Sequence, residues 1–445
     1  MSHAASAHDT YDLIGIGFGP SNLALAIALD ELSETHGRHL QTLFVEKQQS
    51  YRWHGGTLVD QSTLQISFLK DLVSLRNPTS PYSFVNYLHQ HGRLVDFINM
   101  GTSYPCRMEY NDYLRWAAQN FASRVKYGEM ALRIEPAHCG DDIDRLRLLT
   151  RDHKGYERSY ETRGIVIGCG GTPHIPPLFA GLSSDPRVFH HSTYLSGISQ
   201  LRARADGRVR VAIVGAGQSA AEAFIDLHER FPTSEVDLIF RASALKPADD
   251  SPFVNEIFAP DYVDLVFGQA AADREKFIDE YRNTNYAVID RDLLEQMYGI
   301  LYRLKVCNQR RHAMLARRRI EAAAATATGI QLTLVDIATG AEQTRLYDVV
   351  VLATGYQRRS HLDLLAPLRE HLPDFAVDRS YRLRAAPTLT APIFLQGFCE
   401  SSHGLSDTLL SVLPIRAAEI GADIYRCLPD AAARDQLTQP ASASA

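Results

Sequence analysis

Two stretches of this chain pass from an unbroken apolar run into closely spaced glycines and then into helical periodicity. The first is Tyr11-Asp-Leu-Ile-Gly-Ile-Gly-Phe-Gly-Pro-Ser-Asn22, followed by an apolar helix over 23–32. The second is Val209-Arg-Val-Ala-Ile-Val-Gly-Ala-Gly-Gln-Ser-Ala-Ala-Glu222, followed by a helix over 223–228. A short apolar run that ends in a tight glycine turn reads as a strand buried on both faces. Residues 41–46 and 235–240 supply the second strand of each unit, so both motifs open a βαβ element. Two more apolar runs end in glycine, over 164–171 and 348–356; 393–397 reads as a late strand and 408–428 as a closing helix. Between them, 256–319 is largely helical by pattern. Alternating strands and helices predict an α/β fold with parallel sheets covered by helices.

The glycine turns carry a specific chemistry. Glycine lets backbone N–H groups approach a pyrophosphate, and the N-terminus of the following helix favours the anion. Gly15 and Gly17 fill the first two positions of the first motif, while Pro20 stands at the third, directly after Gly19 and before Ser21. Proline is tolerated at a helix start, where its missing N–H has no helical partner. Glu46, followed by Lys47, ends the second strand, where a carboxylate can accept hydrogen bonds from an adenosine ribose. The second motif is regular: Gly215, Gly217 and Ala220, with Gln218 and Ser219 inside it. Its second strand ends in Arg241 instead of an acid, which suits the 2′-phosphate of NADP. Two such sites in one chain are what hydride transfer from NADPH to FAD requires. The expected architecture is therefore two Rossmann-like dinucleotide-binding domains with a largely helical substrate-side segment. The FAD domain takes 8–204 and 346–430. The NADPH domain takes 205–345 and includes the helical segment at about 255–320, and 431–445 forms a tail, the last residues of which are expected to be disordered.

Composition narrows the function further. Of 445 residues, 45% are apolar and 22% charged, ordinary for a globular protein. Acidic residues outnumber basic ones, 52 to 46, and the one arginine run, Arg317-Arg318-Arg319, reads as a solvated helix face, so a nucleic-acid partner is not expected. The six cysteines are scattered without a CxxC pair or metal-ligand spacing, which fits reduced thiols, no metal and a cytoplasmic location. A flavin disulfide reductase would need a redox pair that this spacing lacks. Residues 1–10 are polar with no apolar signal region, and no run approaches the ~18 apolar residues of a membrane span.

Several segments offer polar groups to a substrate. Trp53 and His54 follow the ribose strand within reach of a flavin ring. Gln65 and Lys70 interrupt an apolar stretch, and a cation there either snorkels to solvent or pairs with an anion. Asn255 and Asn285 offer neutral amides, equally at home in turns. Segment 403–411 joins a glycine turn to the hydroxyls of Thr408 and Ser411, a pattern that also serves as a simple helix cap.

Taken together, Gly17-Phe-Gly-Pro-Ser-Asn22, Ser67-Phe-Leu-Lys-Asp71, Arg76-Asn-Pro78, Gly217-Gln-Ser-Ala-Ala-Glu222, Asn283-Thr-Asn-Tyr286, Ala353-Thr-Gly-Tyr356 and His403-Gly-Leu-Ser406 resemble the microbial N-hydroxylating flavoprotein monooxygenases. These are the ornithine and lysine hydroxylases of hydroxamate siderophore biosynthesis. The resemblance runs from about Tyr11 to about Tyr425, and 69–88 and 242–257 are especially similar to the bacterial ornithine branch that serves pyoverdine-type siderophores. It implies FAD- and NADPH-dependent hydroxylation of the side-chain amine of L-ornithine by O2 through a C4a-hydroperoxyflavin, with L-lysine as the alternative substrate. By the same resemblance, Lys70 pairs with the substrate α-carboxylate, Asn255 and Asn285 bind its polar ends, and Ser411 lies near the reacting amine. Glu46, Lys47, Trp53, His54, Gln65, Thr408, Leu409 and Leu410 join the first glycine turn in contacting FAD, and Gly217, Gln218, Ser219 and Arg241 hold NADPH. No general base is identified, and a homo-oligomer is implied. Two other readings compete. Phe189-His-His-Ser-Thr-Tyr194 loosely resembles the fingerprint of the Baeyer–Villiger monooxygenases, and a non-catalytic dinucleotide-binding protein would keep both motifs.

Overall fold

The computed structural model describes residues 10–138, 140, 142–202, 208–309 and 311–428. Apolar runs become the central strands of two five-stranded parallel sheets. In the first, the strands lie in the order Ile393–Leu395, Ile165–Ile167, Leu13–Ile16, Thr42–Glu46 and Val125–Tyr127. In the second the order is Val188–His190, Val349–Leu352, Arg210–Val214, Glu235–Ile239 and His312–Leu315. Each motif strand occupies the centre of its sheet, where burial on both faces explains its unbroken apolar run.

Each half adds a small sheet of mainly antiparallel strands. One contains Glu129–Pro136, Leu146–Asp152 and Glu157–Thr162, with Thr10–Tyr11 paired parallel at its edge. The other is the meander Arg318–Thr326, Gly329–Asp336 and Glu342–Tyr347, which packs on the second parallel sheet through Ile330, Leu332 and Leu334. The two halves thus repeat one architecture, each led by its glycine turn.

The helix Pro20–His36 buries Leu23 to Leu29 against the first sheet and packs along the final helix, Leu413–Cys427. Gly421 permits this approach, since a Cβ there would come within 2.8 Å of Leu32. A further helical layer comprises Tyr262–Gly268, Ala271–Tyr281 and Arg291–Val306. Ile257 and Phe258 from its leading edge form a separate small core with Leu405, against which Tyr286 and Leu409 pack. That core seats the helical segment on the late turns of the first half.

Three expectations change. The boundaries near 205 and 345 fall inside the second half, because Val188–His190 and Val349–Leu352 both hydrogen-bond into its sheet. Helix ends at Val306 and does not reach 319; the arginine run is a strand entry in which Arg317 has φ +54° and Arg318 pairs with Asp336. The closing helix begins at Leu413, after a separate single turn over Leu405–Thr408. The expected tail lies outside the described residues, among which no helix is long and apolar enough to cross a membrane.

The final helix is fixed by a fully buried ion pair. Arg416 donates to Asp407 Oδ1 at 3.0 Å and to its carbonyl, and reaches Ser21 Oγ at 3.1 Å. Asp407 also accepts from the backbone N–H of Cys399 at 2.7 Å. Removing one partner of such a pair leaves an uncompensated charge at a cost of ~3–5 kcal/mol. Arg416→Leu should therefore lower unfolding free energy by about that amount, measured by urea denaturation.

Candidate active site

The two glycine turns lie at the carboxyl edges of their parallel sheets, where open α/β folds bind ligands. In the first, Gly17 adopts φ +80°, and its N–H donates to Val45 O at 2.8 Å. A Cβ on Gly17 would lie 2.7 Å from Cys169 Cα, so glycine is required both by conformation and by close approach. Phe18 N donates to Glu46 Oε2 at 2.8 Å and Gln48 N to Oε1 at 2.9 Å, which fixes the expected ribose carboxylate beside the turn. Ser21 accepts from Arg416 through its hydroxyl, leaving its backbone as the group that faces a ligand.

The residues fit a bound dinucleotide at this turn. Helix Pro20–His36 starts on Gly19 with no side-chain cap and no acid in its first turn, so its leading N–H groups remain for an anion. No atom lies within 4 Å of a Cβ built on Gly19. Lys47 is exposed beyond the ribose carboxylate.

The second turn has the same character. Gly215, at φ +151°, is pressed against the adjoining strand end: its Cβ would fall 2.3 Å from Ala353 O. Gly217 caps the helix Gln218–Arg230 without a side-chain bond, and the nearest atom to its Cβ position is Ala287 Cα at 3.6 Å. Ser219 is half-buried at the helix start. Arg241 is exposed and makes no ion pair among the described residues, which suits the phosphate role expected for it. The side chain of Gln218 is tied to Asp290 and Glu222, so the role expected for it falls to its backbone.

Gln65, expected at the flavin, also turns to Asp290, donating to Oδ1 at 2.7 Å. Glu222 in turn accepts a hydrogen bond from Arg107 at 3.0 Å and forms an ion pair with its other terminal nitrogen at 2.8 Å, and Arg107 Nε donates to Thr63 O at 3.1 Å. A chain of polar groups therefore crosses from the first half to the second. Burial raises the carboxyl pKa of both Glu222 and Asp290; Arg107 opposes this at Glu222, and Gln65 opposes it at Asp290.

Trp53 and His54 sit in the bend before this crossing. Trp53 N donates to Asn111 Oδ1 at 2.7 Å, and its ring packs against Tyr110. His54 has φ +53° and an exposed ring, yet surrounding protein is its largest perturbation, followed by Arg107 and Arg358, and its pKa falls to about 4. Desolvation by the surrounding protein and the positive charges of Arg107 and Arg358 all disfavour the imidazolium, so the ring is neutral.

Of the substrate-side residues, Lys70 is half-buried, its ammonium has no carboxylate partner among the described residues, and burial lowers its pKa. Ser411 is buried, Asn285 half-buried and Asn255 exposed on the short helix Pro252–Asn255; Asn255 donates to Asp250 O at 2.8 Å. Among the described residues no hydrogen bond joins these four side chains to one another, and Asn255 spends its amide N–H on Asp250. Beside Asn285, Tyr286 donates to Glu400, and Thr408 adjoins it. Leu409 packs into the small core with Tyr286, and Leu410 against the first core. Arg107, Asp290, Arg358 and Glu400 carry no signal in the sequence, because each lies outside the short motifs.

Known proteins resemble this chain over most of its length. Residues 9–358 match the L-lysine 6-monooxygenase/L-ornithine 5-monooxygenase family. The L-ornithine N(5)-monooxygenase of Pseudomonas aeruginosa is 54% identical over 444 residues, covering 100% of both chains. The solved ornithine hydroxylase from that organism superposes with TM-score 0.91 at 55% identity, covering 95% of this chain and 100% of that one. An ornithine N-hydroxylase from Kutzneria sp. 744, solved with reduced FAD, NADP+ and L-ornithine, gives 0.87 at 37% identity, with 94% and 99% covered.

The two glycines of the second turn should separate packing from ligand approach. Gly215→Ala should cost at least ~1–3 kcal/mol in strain alone. Gly217→Ala should stay within about 0.5 kcal/mol of the parent in urea unfolding, while weakening dinucleotide binding in a titration.

Proposed function

The chain belongs to the L-lysine 6-monooxygenase/L-ornithine 5-monooxygenase family, and we propose that it hydroxylates the side-chain amine of L-ornithine, using FAD, NADPH and O2. The product is N5-hydroxyornithine, a building block for hydroxamate siderophores. The observation that carries the substrate class is Lys70, a half-buried cation with no protein carboxylate to pair with among the described residues. An amino acid's α-carboxylate supplies that partner. In line with this reading, FAD would be held by the first glycine turn, Glu46 and the bend at Trp53 and His54, and NADPH by the second turn, with Arg241 taking its 2′-phosphate.

FAD, once reduced by NADPH, supplies the centre that activates O2. What the chain contributes is binding, orientation and control of charge. Lys70 fixes one end of the substrate, and the amides of Asn255 and Asn285 orient its polar groups. Ser411, buried near the late turns, stands by the amine to be oxidised. Only the neutral amine is a nucleophile, and a free alkyl amine has a pKa of about 10.4. Desolvation favours that form, as it does at Lys70, whose own pKa is lowered by burial. The free thiols of the described cysteines support a cytoplasmic location, and family likeness supports a homo-oligomer.

Purified protein with FAD and O2 tests the reading by hydroxylated product per NADPH oxidised, comparing L-ornithine, L-lysine and no amine. Near-stoichiometric product with ornithine alone is expected. Product with lysine alone would move the substrate by one methylene, a difference of only ~1–3 kcal/mol in a pocket. H2O2 formation with every amine would sink the substrate assignment. Lys70→Ala should raise KM for ornithine in proportion to a loss of ~2–5 kcal/mol, with flavin reduction by NADPH unchanged. A normal KM in that variant would contradict the role given to Lys70.

A further inference from the structure

We propose that Asp290 is a positioning residue that sets the NADPH half in register with the substrate loop of the FAD half. The proposal rests on the cofactor reading above. Both carboxylate oxygens of Asp290 are used across the junction. Oδ1 accepts from Gln65 of the first half at 2.7 Å, and Oδ2 accepts from Gln218 of the second at 3.0 Å. Gln218 returns a bond through its carbonyl oxygen, which accepts from Asp290 N at 2.9 Å. Every group in this cycle therefore has a single consistent direction of donation.

The placement of its partners gives the cycle a role beyond packing. Gln218 is the first residue of the helix that opens the second glycine turn, and Gln65 stands five residues before Lys70 on the substrate loop. Asp290 itself closes the segment that carries Asn285. That segment passes directly over the second turn, with Ala287 Cα 3.6 Å and Val288 O 3.7 Å from the Cβ position of Gly217, and Ala287 at φ +58°. One loop thus touches the nicotinamide-nucleotide turn and presents a substrate amide, and its end is locked to the loop bearing the substrate cation. The cycle continues through Glu222 to Arg107, which brings the second half to the bend containing His54. A shift of the second half by about one ångström would move the reducing nucleotide and the substrate amide together, and misplacement of that size costs up to about 100-fold in rate.

The hydrogen-bond directions make a sharp test. Asp290→Ala removes both bonds, and Gln65→Glu sets a second carboxylate against Asp290, whereas in Asp290→Asn the Gln65 amide can turn over and restore its bond. In the paired variant Q65E/D290N the new amide donates to the carboxylate introduced at position 65 and still accepts from Gln218, and the net charge is unchanged. The holoenzymes are compared in anaerobic flavin reduction by NADPH, reduction by dithionite, NADP+ affinity by calorimetry, and product per NADPH. The expected result for Asp290→Ala and Gln65→Glu is roughly 10-fold or slower reduction by NADPH and weaker NADP+ binding, with normal FAD content and dithionite reduction. Q65E/D290N should recover most of the NADPH-driven rate. Asp290→Ala or Gln65→Glu at the wild-type rate, or a slow Gln65→Glu that Asp290→Asn does not rescue, overturns the proposal. A wild-type flavin that NADPH leaves oxidised overturns the cofactor reading and the proposal with it.

Discussion

One buried amide holds the first nucleotide turn to the rest of its sheet. Asn22, fully buried, donates to Ile16 O at 3.1 Å and Gly17 O at 2.6 Å, and its carbonyl oxygen accepts from Gln396 at 2.9 Å. The backbone of Gln396 bonds to Ile167 O at 2.9 Å. A side chain near the start of the chain thus shapes the glycine turn and draws in strands that arrive about 150 and 370 residues later. Gly168 is part of the same constraint, since a Cβ on it would come within 3.0 Å of the Asn22 amide. Because unsatisfied buried amides are costly, the turn, the strand Ile165–Ile167 and the strand Ile393–Leu395 must form together.

Charge is distributed in two distinct ways. Groups that hold the fold are paired internally, as with Arg416 and Asp407 at full burial, or Arg107 and Glu222 at the junction. Groups expected to meet ligands keep no protein counter-ion among the described residues: Lys70 in the substrate loop, Arg241 beyond the second turn and Lys47 beyond the first. A half-buried cation without a partner is unfavourable in the empty protein, and a carboxylate or phosphate relieves that cost on binding. The same imbalance gives selectivity, because a ligand lacking the anion would leave the cation uncompensated.

Whatever depends on neighbouring residues in sequence is readable without the structure. Gly17 at positive φ, Gly217 at a helix cap and Glu46 at a strand end are local consequences of a strand, a turn and a helix. Through-space membership is not readable in this way. The strand Val349–Leu352 is apolar and ends in glycine like the strands of the first sheet, yet it pairs with Arg210–Val214, and nothing in its own residues specifies that partner. Residues 312–319 look helical because their basic residues and alanines have helical propensity. Pairing with the strands Glu235–Ile239 and Gly329–Asp336 overrides it. Asp290 and Arg107 are invisible for a related reason: their partners lie 72 and 115 residues away.

The proton inventory of the cleft follows from these placements. His54 is neutral at physiological pH, with its pKa near 4, so it has little driving force to take a proton from an ammonium group. Glu222 and Asp290 are committed to Arg107 and to two glutamine amides. On the substrate side, Glu400 is bonded to Tyr286, the neighbour of Asn285, and burial and Glu400 together raise that tyrosine to about 12. Burial also raises Glu400, so a proton on that pair is held more firmly than on a free carboxylate. Each of these groups is thus either neutral or already bonded within the protein, and none of them stands ready to take the proton of a substrate ammonium.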